Sequence, residues 1–260
     1  MSMTPIQVAI LDMNDGNANM GINCLIDIVT TWGKRKKLLI QYQVFEVRKK
    51  QEIPSLDFDI YLSSGGPGSP LDSQHLNWDI KYTQWLNTIL KSKKLVLLIC
   101  HSFQIACRHF NLGNVCLRKS KQLGVLPVHY TQTDSLFEGL PDPFFTLESR
   151  LYQIIEPQDD ILKKMGAKII ALEKQRPEVP LERAIMGIQF SPNMYGVQFH
   201  PEGDAKKLIP YFNRSDIKNS MINEFGILKW ENTMQLLERP DTIENTYQNF
   251  IPNFLDKLLS

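Results

Sequence analysis

The sequence predicts an α/β fold: a doubly wound, mainly parallel sheet with a partly antiparallel extension and a helical C-terminal tail. Three observations carry this reading. Up to Phe110, apolar runs of strand composition alternate with stretches whose apolar residues recur at helical spacing, the pattern of β-α-β units. From Gly124 to Phe199, short strand-like pieces follow one another with turn residues between them, which suits antiparallel pairing. Beyond Glu202, apolar residues fall at three- and four-residue steps, as helices packed on a core require.

The first expected strand is Gln7 to Asp12, left through the polar, glycine-bearing loop Met13 to Asn17. Ile22, Leu25, Ile26 and Val29 then give a helix. Tyr42, Val44 and Phe45 mark a second strand, and Phe58 to Leu62 a third, which runs into Ser63-Ser-Gly-Gly-Pro-Gly-Ser-Pro70. Three glycines and two prolines there make a tight loop whose backbone N–H groups can face a ligand. Trp78 to Leu90 reads as a helix whose apolar face is Ile80, Trp85, Leu86 and Ile89. Later strands are expected at Gly124 to Tyr130, Phe144 to Leu147, Lys168 to Leu172, Ala184 to Phe190 and Tyr195 to Phe199. In the tail, Leu208, Tyr211 and Phe212 suggest a closing helix. A further helical pattern from Tyr247 to Leu259 is interrupted by Pro252.

A chain of 260 residues, 43% hydrophobic, can bury a large core. Its 29 basic and 28 acidic residues leave a net charge of +1, so no global field favours nucleic acid or an anionic membrane. The runs Lys34-Arg-Lys-Lys37 and Lys91-Ser-Lys-Lys94 each follow an expected helix and read as solvated helix ends. Four cysteines without metal-ligand spacing, no signal-like N-terminus and no apolar stretch near the ~20 residues of a membrane span lead us to expect a cytoplasmic protein. No metal and no cofactor are expected.

Leu95-Val-Leu-Leu-Ile-Cys100-His101-Ser102-Phe103-Gln104 organises the chemistry. A strand buried on both faces reads as a continuous apolar run, here Leu95 to Ile99, and Phe103, Ile105 and Ala106 then fit a helix packed against it. Cys100 falls in the sharp turn between them, a nucleophile elbow. Its sulfur would stand above the carboxyl end of the sheet, where a helix N-terminus favours a thiolate. Such a nucleophile needs a base within reach, and the base needs a third group to orient it. His200 and Glu202, in Tyr195-Gly-Val-Gln-Phe-His-Pro-Glu202, supply both, with the proline rigidifying the turn between them.

These residues together resemble the class I (triad) glutamine amidotransferase family, over roughly Gln7 to Glu202. Ser64-Gly-Gly-Pro-Gly-Ser69 resembles the family's oxyanion loop, Cys100-His-Ser-Phe-Gln104 its nucleophile motif, and Gly196-Val-Gln-Phe-His-Pro-Glu202 its histidine-glutamate motif. The resemblance implies a flavodoxin-like sheet in a domain of residues 1–202, with 203–260 a helical extension packed on the same domain. It implies that Cys100 attacks the side-chain amide of glutamine to give a glutamyl thioester, that His200 shuttles the proton and that Glu202 orients it. The backbone N–H groups of Gly66 and His101 would stabilise the oxyanion, each such donor being worth ~3 kcal/mol in comparable enzymes. Gly65, Gly68 and Gln104 would line the glutamine pocket.

The sequence departs from the family in two places. Ser102 stands where the nucleophile motif normally has glycine, and Leu147 to Gln153, where a histidine-bearing segment is common, has no histidine. Arg150 or Tyr152 in that segment could serve a different γ-glutamyl substrate, or be ordinary core and surface. No Gly-rich loop ending in Gly-Lys-Ser/Thr is present, so a synthetase receiving the ammonia would be a separate polypeptide. Two other readings stand beside this one: a stand-alone γ-glutamyl hydrolase, and a catalytically idle binding or regulatory relative. A cysteine hydrolase of another flavodoxin-like group leaves His-Pro-Glu unexplained. Cys107 is expected in the core, and the His101 side chain in solvent.

Overall fold

The computed structural model describes residues 4–178 and 180–259. Strand β1 (Ile6–Asp12) is followed by helix α1 (Met20–Lys36), strands β2 (Ile40–Glu46) and β3 (Ile60–Ser63), helix α2 (Asn77–Leu90), strand β4 (Leu95–Ile99) and helix α3 (His101–His109). Strands β5 (Asn114–Tyr130) and β6 (Phe144–Ile155) come next, then helix α4 (Asp159–Met165) and strands β7 (Lys168–Glu173), β8 (Ile185–Ser191) and β9 (Met194–Val197). Helices α5 (Ala205–Asn213), α6 (Ser215–Phe225), α7 (Ile227–Glu238) and α8 (Ile243–Asp256) follow.

The strands form one sheet in the order β2-β1-β3-β4-β9-β8-β7-β5-β6. From β2 to β9 the pairing is parallel, and from β9 through β8, β7 and β5 to β6 it is antiparallel. The expected doubly wound sheet with an antiparallel extension is therefore the observed one. Side chains alternate across a strand, so Val8 and Ile10 enter one core while Ala9 and Leu11 enter the other. The first core is closed by α1 and α8, with Leu25, Val29, Trp32, Phe250 and Phe254. The second is closed by α2 and α3. A third cluster, with Val125, Leu208, Phe212, Met221 and Met234, joins β5 to the C-terminal helices.

Three expectations are corrected. The buried face of α2 is Trp78, Tyr82, Trp85, Leu86 and Ile89, whereas Ile80 is 42% exposed, because the helical period that aligns 78, 82, 85 and 89 turns residue 80 outward. β5 and β6 run well past the expected Gly124–Tyr130 and Phe144–Leu147. Their added lengths pair through ladder hydrogen bonds, Val115 opposite Ile154 being buried in the second core, and the register breaks between Leu117 and Gln122 opposite Tyr152 and Arg150. Pro252 lies inside α8, which continues to Asp256.

Candidate active site

All five residues of β4 are buried, and Phe103, Ile105, Ala106 and Cys107 bury the helix behind it. Cys107 is thus core, its thiol pushed well up by burial. Packed strand and packed helix force the chain to reverse within one residue. Cys100 takes φ +50° and ψ −100°, a conformation costing a residue with a Cβ about 1–3 kcal/mol, held by Cys100 N–H to Val197 O at 2.7 Å and Gln104 N–H to Cys100 O at 2.9 Å.

His200 enters from the end of β9. Its N–H donates to Leu147 O at 2.9 Å, so the backbone of β6 fixes where the imidazole starts. Its Nδ1 lies 2.8 Å from Glu202 Oε1. Glu202 is 4% exposed, and its Oε2 has no hydrogen-bond partner among the described residues. The first turn of α1 lies against this carboxylate: a Cβ added to Gly21 would stand 3.2 Å from Oε1. The partial positive end of that helix therefore faces the acidic group. Burial opposes a charge on His200, but the Glu202 carboxylate and the Cys100 sulfur outweigh it and hold the imidazole well above its ordinary pKa.

Cys100 and His200 meet at Gly65. A Cβ built there would stand 2.7 Å from His200 Cε1 and 3.3 Å from Cys100 Cβ, so only glycine lets the loop close over the pair. At Gly66 the same Cβ would be 2.2 Å from Met13 O. Gly68 has φ +95°. The N–H groups of Gly65 and Gly66 donate to no group among the described residues, and that of His101 opens a helix, where amides have no intrahelical acceptor. The loop is strapped along its length: Ser102 Oγ donates to Ser64 O at 2.7 Å, Arg48 to Pro67 O and Arg108 to Pro70 O.

These groups border a cavity of about 640 Å³. Gly65, Gly66, Gly68 and Gln104 line it beside the Cys-His-Glu group, Leu151 and Tyr152 of β6 form one wall, and Leu208, Tyr211 and Phe212 of α5 form another. The structure thus gathers Cys100, His200, Glu202, Gly65, Gly66, Gly68 and Gln104 around one space, while His101, next to Cys100 in the elbow, is not part of the cavity lining. Arg150 reaches the wall too, yet its side chain is fully buried and its guanidinium is committed to Glu148 at 2.8 Å and Glu173 at 3.3 Å. Among the described residues no group of three or more His, Cys, Asp or Glu side chains is placed to hold a metal ion.

Two features differ from the sequence reading or were missed by it. The His101 side chain is 1% exposed rather than in solvent, because Trp78 of α2 packs over it, with ring centroids 6.4 Å apart. Gln198 was not singled out, although strand alternation places it on the face of Gly196 and His200. Fully buried, it donates from Nε2 to Cys100 Sγ at 3.5 Å and accepts from Gln104 Nε2 at 3.1 Å, linking the nucleophile motif to the histidine motif.

The family model for class-I glutamine amidotransferases matches residues 29–214. No curated protein matches the chain. Among solved structures, a glutamine amidotransferase from Thermotoga maritima superposes with a TM-score of 0.71 at 16% identity, covering 99% of each chain. A glutamine amido transferase from Methylobacillus flagellatus gives 0.60 at 14% identity, over 97% of this chain and 96% of its own. The glutaminase domain of Trypanosoma brucei CTPS, with bound acivicin, gives 0.59 at 12%, over 96% and 94%. At these identities the likeness is one of fold, while the family match spans the elbow, the glycine loop and the His200 motif. The chain belongs to the class-I glutamine amidotransferase family.

Proposed function

We propose that this chain cleaves the side-chain amide of glutamine through Cys100, His200 and Glu202, releasing ammonia for a synthetase on a separate polypeptide. The observation that carries the reading is that Cys100 and His200 both lie against Gly65, with Glu202 Oε1 at 2.8 Å from the imidazole Nδ1. The Cys100 thiolate attacks the amide carbon and forms the C–S bond. The amide oxygen takes up the negative charge, which the N–H groups of Gly66 and His101 stabilise. His200, held toward its protonated form, gives its proton to the nitrogen as the C–N bond breaks, and ammonia leaves. Water, deprotonated by His200, then attacks the thioester carbon, the C–S bond breaks to return the Cys100 thiolate, and glutamate leaves. Glu202 keeps the imidazole oriented throughout.

A second reading, hydrolysis of a γ-glutamyl amide whose amine is larger than ammonia, is favoured by the Leu208, Tyr211 and Phe212 wall of the cavity. The test is release of ammonia and of amine across glutamine and a γ-glutamyl panel, alone and with candidate synthetases. Cys100→Ala should abolish turnover without unfolding the chain. No turnover on any compound, together with no labelling of Cys100 by a glutamine-like electrophile, would refute both readings in favour of an idle relative.

A further inference from the structure

We propose that Ser102 is a positioning residue: its hydroxyl ties the glycine loop after β3 to the nucleophile elbow, and so fixes the loop's amide donors relative to Cys100. The inference rests on reading that loop as the oxyanion-binding element.

Its basis is a one-way chain of buried hydroxyls. Ser102 Oγ lies 2.7 Å from Ser64 O and 2.8 Å from Ser63 Oγ, which in turn lies 2.8 Å from Tyr82 OH. A carbonyl can only accept, so the Ser102 proton goes to Ser64 O. Ser63 must then donate to Ser102, and Tyr82 to Ser63. Every member is at most 2% exposed, so each bond is sheltered from competing water. Burial pushes the Tyr82 phenol up to about 12, and the head of the chain keeps its proton across the working pH range.

The chain therefore joins α2, the end of β3 and the first turn of α3 to the carbonyl that precedes Gly65. Other bonds hold other points. Ser64 is fixed to the β1 side by its N–H to Leu11 O and by Met13 N–H to its Oγ, each at 3.0 Å. Arg48 holds the loop at Pro67 and Arg108 at Pro70. Among the described residues, the Ser102 hydroxyl is the tie between the Gly65 end of the loop and the elbow. A glycine at this position could build the same turn but would leave Ser64 O and Ser63 Oγ without it.

The test compares the wild type with Ser102→Gly, Ser102→Ala and Tyr82→Phe. Backbone ¹⁵N relaxation at Gly65 and Gly66 reads loop order, and kinetics on glutamine and γ-glutamyl amides read its use. Wild-type order parameters should be ~0.85 at both glycines and fall toward ~0.6 in the two Ser102 variants. Gly68, held through Pro67, should stay at the wild-type value. In the same variants kcat should fall about three- to tenfold with KM within about twofold, because misaimed donors weaken the transition state more than substrate binding. Tyr82→Phe also deletes a buried hydroxyl but leaves Ser63, Ser102 and Ser64 linked, so Gly65 and Gly66 should remain ordered. Wild-type order at both glycines in the Ser102 variants, or equal disorder in Tyr82→Phe, would overturn the inference. Relaxation decides it even if the wild type turns over no amide, a result that would count against the proposed function alone.

Discussion

His101 is buried among cations with neither ring nitrogen hydrogen-bonded, and its replacement by leucine should change how stability depends on pH. Burial first, then repulsion from Arg48 and Arg108, lowers its pKa from 6.5 to about 3. Between those values the unfolded chain takes up a proton that the folded chain refuses, so stability falls as pH drops from 6.5 toward 3. Above 6.5 both states are neutral and the group contributes nothing to the slope. From these two values the loss is about 1 kcal/mol at pH 5.5 and about 3 kcal/mol at pH 4.5. Other titrating groups add to the total in both proteins and cancel in the difference. In His101→Leu this share should vanish, and at pH 7.5 the variant should equal the wild type or exceed it by about 1 kcal/mol, since two unpartnered polar atoms are removed. Urea unfolding followed by tryptophan fluorescence from pH 7.5 to 4.5 measures both curves. Parallel curves would show that the imidazole is protonated in the folded state and refute the reasoning.

Gly65→Ala places a methyl 2.7 Å from His200 Cε1 and 3.3 Å from Cys100 Cβ, so kcat on the best amide should fall about 100-fold with little change in the unfolding midpoint. Glu202→Ala should retain about one to two orders of magnitude more activity than Cys100→Ala, because an orienting group is less essential than the nucleophile. In that variant His200 loses a neighbour that raises its pKa, so the alkaline limb of the pH–rate profile should move to lower pH. Asp79 is 1% exposed and bonded to Arg108 at 2.6 Å, so Asp79→Ala strands a mostly buried guanidinium and should cost about 3–5 kcal/mol in urea unfolding.

Much of the fold was legible because strand and helix geometry write burial into the sequence at fixed periods. The run Leu95 to Ile99 is apolar throughout since β4 is covered on both faces, and the Cys100 turn follows from the change of period after it. The polar stretch of β5 at the register break between Leu117 and Gln122 left no such record, because the strand continues there through backbone groups common to all residues, while Val115 and Ile154 at the ends of the added lengths are core. Gln198 was marked by alternation, but its value lies in touching a sulfur 98 positions away.

What the sequence by itself determined here is most of the elements, though not α4 or the full lengths of β5 and β6, together with the elbow at Cys100 and the His200–Glu202 pair, which depend on neighbours within a few residues. Only the tertiary structure decided that Gly65 packs against both Cys100 and His200, that Ser102 reaches Ser64, that Trp78 covers His101 and that α5 walls the cavity. Local periodicity tells a side chain which way to face, whereas its partner is chosen by how distant elements pack, and that choice is made by the whole chain at once.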